Sequence, residues 1–106
     1  MPKFLVSGSY TLEGVKALTN EGGTARRRAV EQWCEGLGGR LESLYFAFGE
    51  NDFYCIYDLS DAPTAAAAYL FSHSLGVVRV TYAVLITPEE MDEACRKTAS
   101  YPLPGP

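Results

Sequence analysis

The sequence predicts an α+β domain of the ferredoxin-like βαββαβ type, an antiparallel sheet with one extra helix at its C-terminal end. Three observations carry the prediction. Segments of period-two alternation and segments of helical spacing succeed one another as strand, helices, strand, strand, helix, strand, helix. Capping and breaking residues fall between them, at Thr11, Gly22-Gly23, Gly38-Gly39, Asp61 and Thr87-Pro88. With 106 residues and 47% hydrophobic content, the chain can bury one small core.

Residues 3–10 (KFLVSGSY) alternate as a strand, with Phe4, Val6, Gly8 and Tyr10 on one side and Leu5, Ser7 and Ser9 on the other. Thr11 is placed to cap a short helix reaching about Asn20, and the glycines after Glu21 interrupt it. Thr24 then caps a run over 25–37, where Ala29, Val30, Trp33, Cys34 and Leu37 recur at helical spacing until Gly38-Gly39. Residues 40–48 and 53–59 read as two strands joined by a tight turn at Glu50-Asn51. That turn pairs Gly49 with Asp52, Phe48 with Phe53, Phe46 with Cys55 and Leu44 with Tyr57.

Asp61-Ala62-Pro63 opens a helix whose body, TAAAAYLFSHSL, ends at Gly76; the alanines supply propensity and a close-packing face. Residues 77–86 form a β-branched strand, and Thr87-Pro88-Glu89-Glu90 starts the last helix by capping residue, proline and acidic first turn. The division expected is a domain over 1–98 and a Pro-rich tail over 99–106.

Both faces of this sheet are apolar. One carries Phe4, Val6, Gly8, Leu44, Phe46, Phe48, Phe53, Cys55, Tyr57, Val78, Val80, Tyr82 and Val84 without a charge, and is the side for the helices. Gly8 is there for a close approach. The other carries Leu5, Ser7, Ser9, Leu41, Ser43, Tyr45, Ala47, Asp52, Tyr54, Ile56, Asp58, Val77, Arg79, Thr81, Ala83 and Leu85. A face that simply meets water shows charged residues in alternation. This one needs a cover, and a second copy of the chain is the economical one.

The segments PKFLVSGSYTLEGVKAL, EGGTARRRAVE, LGGRLESLYFAFGENDFYCIYDLSD and TPEEM resemble the GYD-domain family, over about residues 2–97. The Gly-x-Tyr-Asp element of that family aligns with Gly49-Glu50-Asn51-Asp52, so Asn51 stands where a tyrosine is typical. The resemblance implies a dimeric α/β barrel, in which the sheets of two subunits pair, and it implies no particular reaction.

Composition excludes some functions. A net charge of −4 opposes general nucleic-acid or anionic-membrane binding. No apolar run suggests a leader or a membrane span, and three scattered cysteines suggest no disulfide or zinc framework, so a reducing cytoplasm is expected. Arg26-Arg27-Arg28 sit on successive helical positions and do not make one patch; Arg27 and Arg28 are placed to pair with Glu31, and Arg28 also with Glu35. The cysteines are expected to be inert core thiols.

The uncovered face holds the candidate ligand-binding residues. Arg79 is its lone core-strand cation and needs Asp52, Asp58 or an anionic ligand as partner. Tyr54, Ser7, Ser9, Tyr45 and Thr81 line the same surface with hydrogen-bonding groups, and Asp52 beside Glu50 offers acid–base chemistry. His73, near the end of an apolar helix, is a packed or rim residue or a proton acceptor; one histidine suggests no metal site.

The function expected is a homo-oligomeric, cofactor-free module binding a small organic ligand between paired sheets. Two readings stay open beside it: a cofactor-independent isomerase or monooxygenase using that pocket, and a purely structural self-assembling subunit.

Overall fold

A computed structural model describes residues 1–97 and 102–105; the expected domain boundary at 98/99 lies outside them. The elements follow the predicted order: β1 (Lys3–Tyr10), α1 (Leu12–Glu21), α2 (Gly23–Gly36), β2 (Arg40–Phe46), β3 (Phe53–Asp58), α3 (Ala62–Ser74), β4 (Val78–Leu85) and α4 (Pro88–Arg96). The strands form one antiparallel sheet in the order β2-β3-β1-β4, the ferredoxin-like arrangement.

Three caps hold as read. The hydroxyl oxygen of Thr11 accepts from Gly14 N, the Asp61 carboxylate from Thr64 N at 2.9 Å, and Thr87 forms a capping box with Glu90. Helix α2 differs. It begins at Gly23 rather than Ala25, and its N-cap is Gly22, not Thr24. Gly22 stands at φ 87°, a backbone state that costs glycine little, and this lets α1 end and α2 begin without a loop.

The β2–β3 hairpin is also corrected. Phe46 pairs with Phe53 and Leu44 with Cys55, two residues away from the expected register, and Ala47 N donates to Asp52 O at 2.8 Å across a longer connection. A two-residue type I′ turn needs positive φ at both central positions, and neither Glu50 nor Asn51 has it. A slip of two preserves which face each strand residue occupies. Phe48, however, leaves the sheet and is fully exposed in the connection.

A bulge between Leu41 and Ser43 makes the third correction. Leu41 pairs with Tyr57 and packs on the core, whereas unbroken alternation placed it on the opposite face. Val77 likewise lies just before β4, with its carbonyl accepting from Thr11 N.

The core lies between the sheet and helices α2 and α3. Phe4, Val6, Cys34, Phe53, Cys55, Tyr57, Leu59, Ala65 and Val80 are buried together there. Gly8 does allow a close approach, though of the neighbouring strand rather than a helix: a Cβ at that position would lie 2.0 Å from Arg79 O. Among the described residues the opposite face stays open. Tyr45, Tyr54, Arg79, Thr81 and Ala83 are exposed on it, α4 buries none of its residues, and residues 102–105 are exposed.

Candidate functional site

The residues expected to form one site separate into three places. Ser7, Ser9, Tyr45, Tyr54, Arg79 and Thr81 share the open face: Ser7 pairs with both Tyr54 and Thr81, Ser9 with Arg79, and Tyr45 with Tyr54. The Ser7 and Thr81 hydroxyls lie 3.3 Å apart, and the Tyr54 hydroxyl is 3.2 Å from the Asn51 amide nitrogen.

Asp52 stands at the end of this face and serves the backbone. One carboxylate oxygen accepts from Tyr10 N at 2.9 Å, and Asp52 N donates to Gly8 O at 2.7 Å, so the residue fastens the hairpin to the end of β1. Neither Asp52 nor Asp58 pairs with Arg79, which is exposed and has no carboxylate within 4.0 Å among the described residues. Asp58 is taken by Lys3 Nζ at 2.9 Å and Arg40 Nε at 2.8 Å, and those bonds, led by the Lys3 one, hold its carboxyl below the ordinary value of 3.8.

His73 lies on the helical side. Its Nε2 accepts from Val80 N at 3.3 Å, which leaves Nδ1 to donate to Tyr69 O at 3.0 Å. Both ring nitrogens are therefore engaged, Nε2 in joining α3 to β4 and Nδ1 within α3. Among the described residues no cluster of three His, Cys, Asp or Glu side chains is placed to hold a metal, and no helix is long and apolar enough to cross a membrane.

A cavity that sequence reasoning did not locate lies between the sheet and helices α2 and α3, on the side opposite the open face. Its origin is geometric. Helix α2 packs chiefly on β2 and α3 chiefly on β4, the two edge strands. The central strands β1 and β3 are thus spanned by side chains rather than by a helix. The space left is about 200 Å³, partly open to solvent.

Aromatic rings enter its wall from five elements, Tyr10 from β1, Trp33 from α2, Phe53 and Tyr57 from β3, Phe71 from α3 and Tyr82 from β4, with aliphatic side chains between them. Trp33 and Tyr82 both meet Tyr57 edge to face, with centroids 6.3 and 6.1 Å away, and Tyr10 tilts against Phe53 at 5.1 Å. Such contacts hold rings in fixed orientations. The polar wall consists of Arg26, Ser72, the tyrosine hydroxyls, the Trp33 indole and the Cys55 thiol, with no carboxylate among the lining residues.

Burial sets the ionisation of this wall. It pushes the Tyr10 phenol up to about 12 and the Cys55 thiol up to about 12, and it raises the Tyr57 and Tyr82 phenols as well. All four groups are neutral at physiological pH. Arg26 keeps its charge through a hydrogen bond from Nε to Glu21, the main cause of its raised pKa. No carboxylate lies within 4.0 Å of Arg27 or Arg28 among the described residues, so the expected pairs with Glu31 and Glu35 are replaced by this one.

The model of the GYD domain matches residues 4–95, nearly the whole folded part of the chain. The chain belongs to the GYD-domain family. No characterised protein and no solved structure is significantly similar to it. The Gly-x-Asn-Asp segment of this GYD domain falls in the β2–β3 connection, where Asn51 meets the Tyr54 hydroxyl and Asp52 ties down β1.

The signal that marks the cavity is present in the sequence all the same. On the helical face, Phe4 and Phe53 are ordinary core residues, but Tyr10, Tyr57 and Tyr82 bring hydroxyl groups that a buried site must satisfy.

Proposed function

We propose that this GYD domain is a self-associating small-molecule-binding module. Two copies pack open face to open face, and each keeps its own ligand cavity beneath α2 and α3. The observation that carries the reading is the cavity itself, a partly open space of about 200 Å³ lined by six aromatic residues and by polar groups. Sites for drug-sized molecules span roughly 300–1,000 Å³, so the ligand is smaller, of one or two rings.

The pairing rests on the open face. A four-stranded sheet with strands of up to eight residues offers a flat area of about 500 Å² at the usual strand spacing and rise. Its corrugated surface approaches the roughly 800 Å² per partner of a standard stable interface. Leu5, Tyr45, Tyr54, Ile56, Ala83 and Leu85 supply the apolar part, and a two-fold axis lets the same surface serve both partners. No charged side chain of β1 or β3 other than Lys3 and Asp58, already paired with each other, lies on that face.

The test uses native mass spectrometry and sedimentation velocity on the purified chain. A dimer at micromolar concentration, carrying a small organic molecule that unfolding releases, is the expected result. A monomer at those concentrations overturns the pairing. Tryptophan fluorescence that stays unmoved by every small aromatic compound offered overturns the binding reading, because Trp33 is the chain's one tryptophan and lines the cavity.

A further inference from the structure

We infer that the cavity takes a small planar aryl carboxylate, its oxygen held by the Tyr57 hydroxyl and its charge balanced by Arg26. The inference rests on the binding reading above and goes beyond it by naming the ligand's chemistry.

Tyr57 is the decisive residue. It is 4% exposed and lines the cavity, yet its hydroxyl makes no hydrogen bond among the described residues. Nor is that oxygen sealed from solvent without a partner, since no buried side-chain oxygen or nitrogen lacks one. The hydroxyl must therefore open onto the cavity. Phenylalanine would fill the same place on β3 with no polar atom to satisfy, so the structure carries a donor where packing alone does not ask for one.

The rest of the wall has the same bias. The guanidinium only donates, the protonated phenols can donate, and the wall includes no carboxylate to accept from a ligand or to balance a cation. Arg26 is half-buried, and Glu21 engages only its Nε. Its terminal amino groups make no hydrogen bond among the described residues, and this is the edge that receives a carboxylate in paired fashion. Rings around the donors favour a flat apolar body behind the oxygen. A wall with one cation and no carboxylate discriminates by sign: Arg26 attracts an anionic ligand and repels an ammonium group.

Trp33 fluorescence provides the measurement, with naphthoate, naphthalene and naphthylmethylammonium as the three probes. The expected order is naphthoate first, by about tenfold over naphthalene, and the ammonium compound last. Tyr57→Phe weakens naphthoate about tenfold and leaves naphthalene unchanged. Arg26→Gln does the same, and its partner Glu21 is exposed enough to turn to water, so the fold is kept. Tyr57→Phe removes only an unpaired oxygen and serves as the folded control by its unchanged thermal transition.

Equal affinity for naphthoate and naphthalene overturns this inference while the binding reading stands. So does a Tyr57→Phe variant that binds naphthoate as the parent does. If none of the three probes alters the fluorescence, the binding reading fails and this inference falls with it.

Discussion

The two faces of the sheet are made by the same strands and differ in what completes them. Val6 is 1% exposed under the helices, whereas its neighbour Leu5 is only half-buried on the other side; Tyr57 is closed in, whereas Tyr54, three residues earlier, stands in the open. The helical face is finished by large side chains, which bury the core and leave the ring-bearing cavity among them. The open face mixes leucine, isoleucine and tyrosine with Ser7, Ser9 and Thr81 and, among the described residues, has no helix laid on it. Apolar content alone therefore does not say which face is core. Cover does, and cover is set by where the helices can reach from the edge strands.

Substitutions on each face break that comparison in different ways. The largest effect is expected under the helices. Leu59 is fully buried, and Leu59→Ala should cost about 3 kcal/mol in chemical denaturation, a large part of the stability of so small a domain. Next, an Ile56→Asp and Leu5→Asp pair on the open face should shift sedimentation from dimer to monomer while the far-ultraviolet circular dichroism is retained. Loss of the folded spectrum would instead place those side chains in the core of each chain.

A smaller effect is expected at the sheet end. Asp58→Asn should destabilise by about 1 kcal/mol at neutral pH, since Lys3 and Arg40 are both near enough to water to be resolvated. The Asp58 carboxyl is depressed in the folded chain, so its contribution is present above the ordinary value of 3.8 and is lost as pH falls through the lower folded value. The mutant and parent denaturation curves should converge in acid.

The smallest effect concerns the thiols. Burial pushes Cys34 to about 11 and Cys55 to about 12, so both should resist a thiol reagent under native conditions, and Cys95, exposed on α4, should react first. Sequence reasoning placed all three in apolar surroundings. Cys95 corrects that, because it is exposed and α4 buries none of its residues.

Element order, sheet topology and most caps were legible because each depends on local spacing and on residues such as Thr11, Asp61 and Thr87. The hairpin register was not, because Glu50-Asn51 carries no positive-φ signature and the Asp52 carboxylate is drawn to Tyr10 N rather than into the turn. Leu41 was misplaced because a bulge inserts one residue without any mark that alternation can detect. The candidate site was harder still. Arg79 and its neighbours do share a face, but the cavity follows from the separation of α2 and α3 over the sheet, a distance that no residue pattern encodes.

The bulge on β2 reaches beyond the placement of one leucine. An outer strand with a regular row of free amides and carbonyls invites the next molecule to extend the sheet without limit. The extra residue at Glu42 breaks that row and bends the strand, and the charged ends of Lys3 and Arg40 gather beside it. Growth in the plane of the sheet is therefore discouraged along the border that β2 presents, which leaves the β4 border as the one with a regular row.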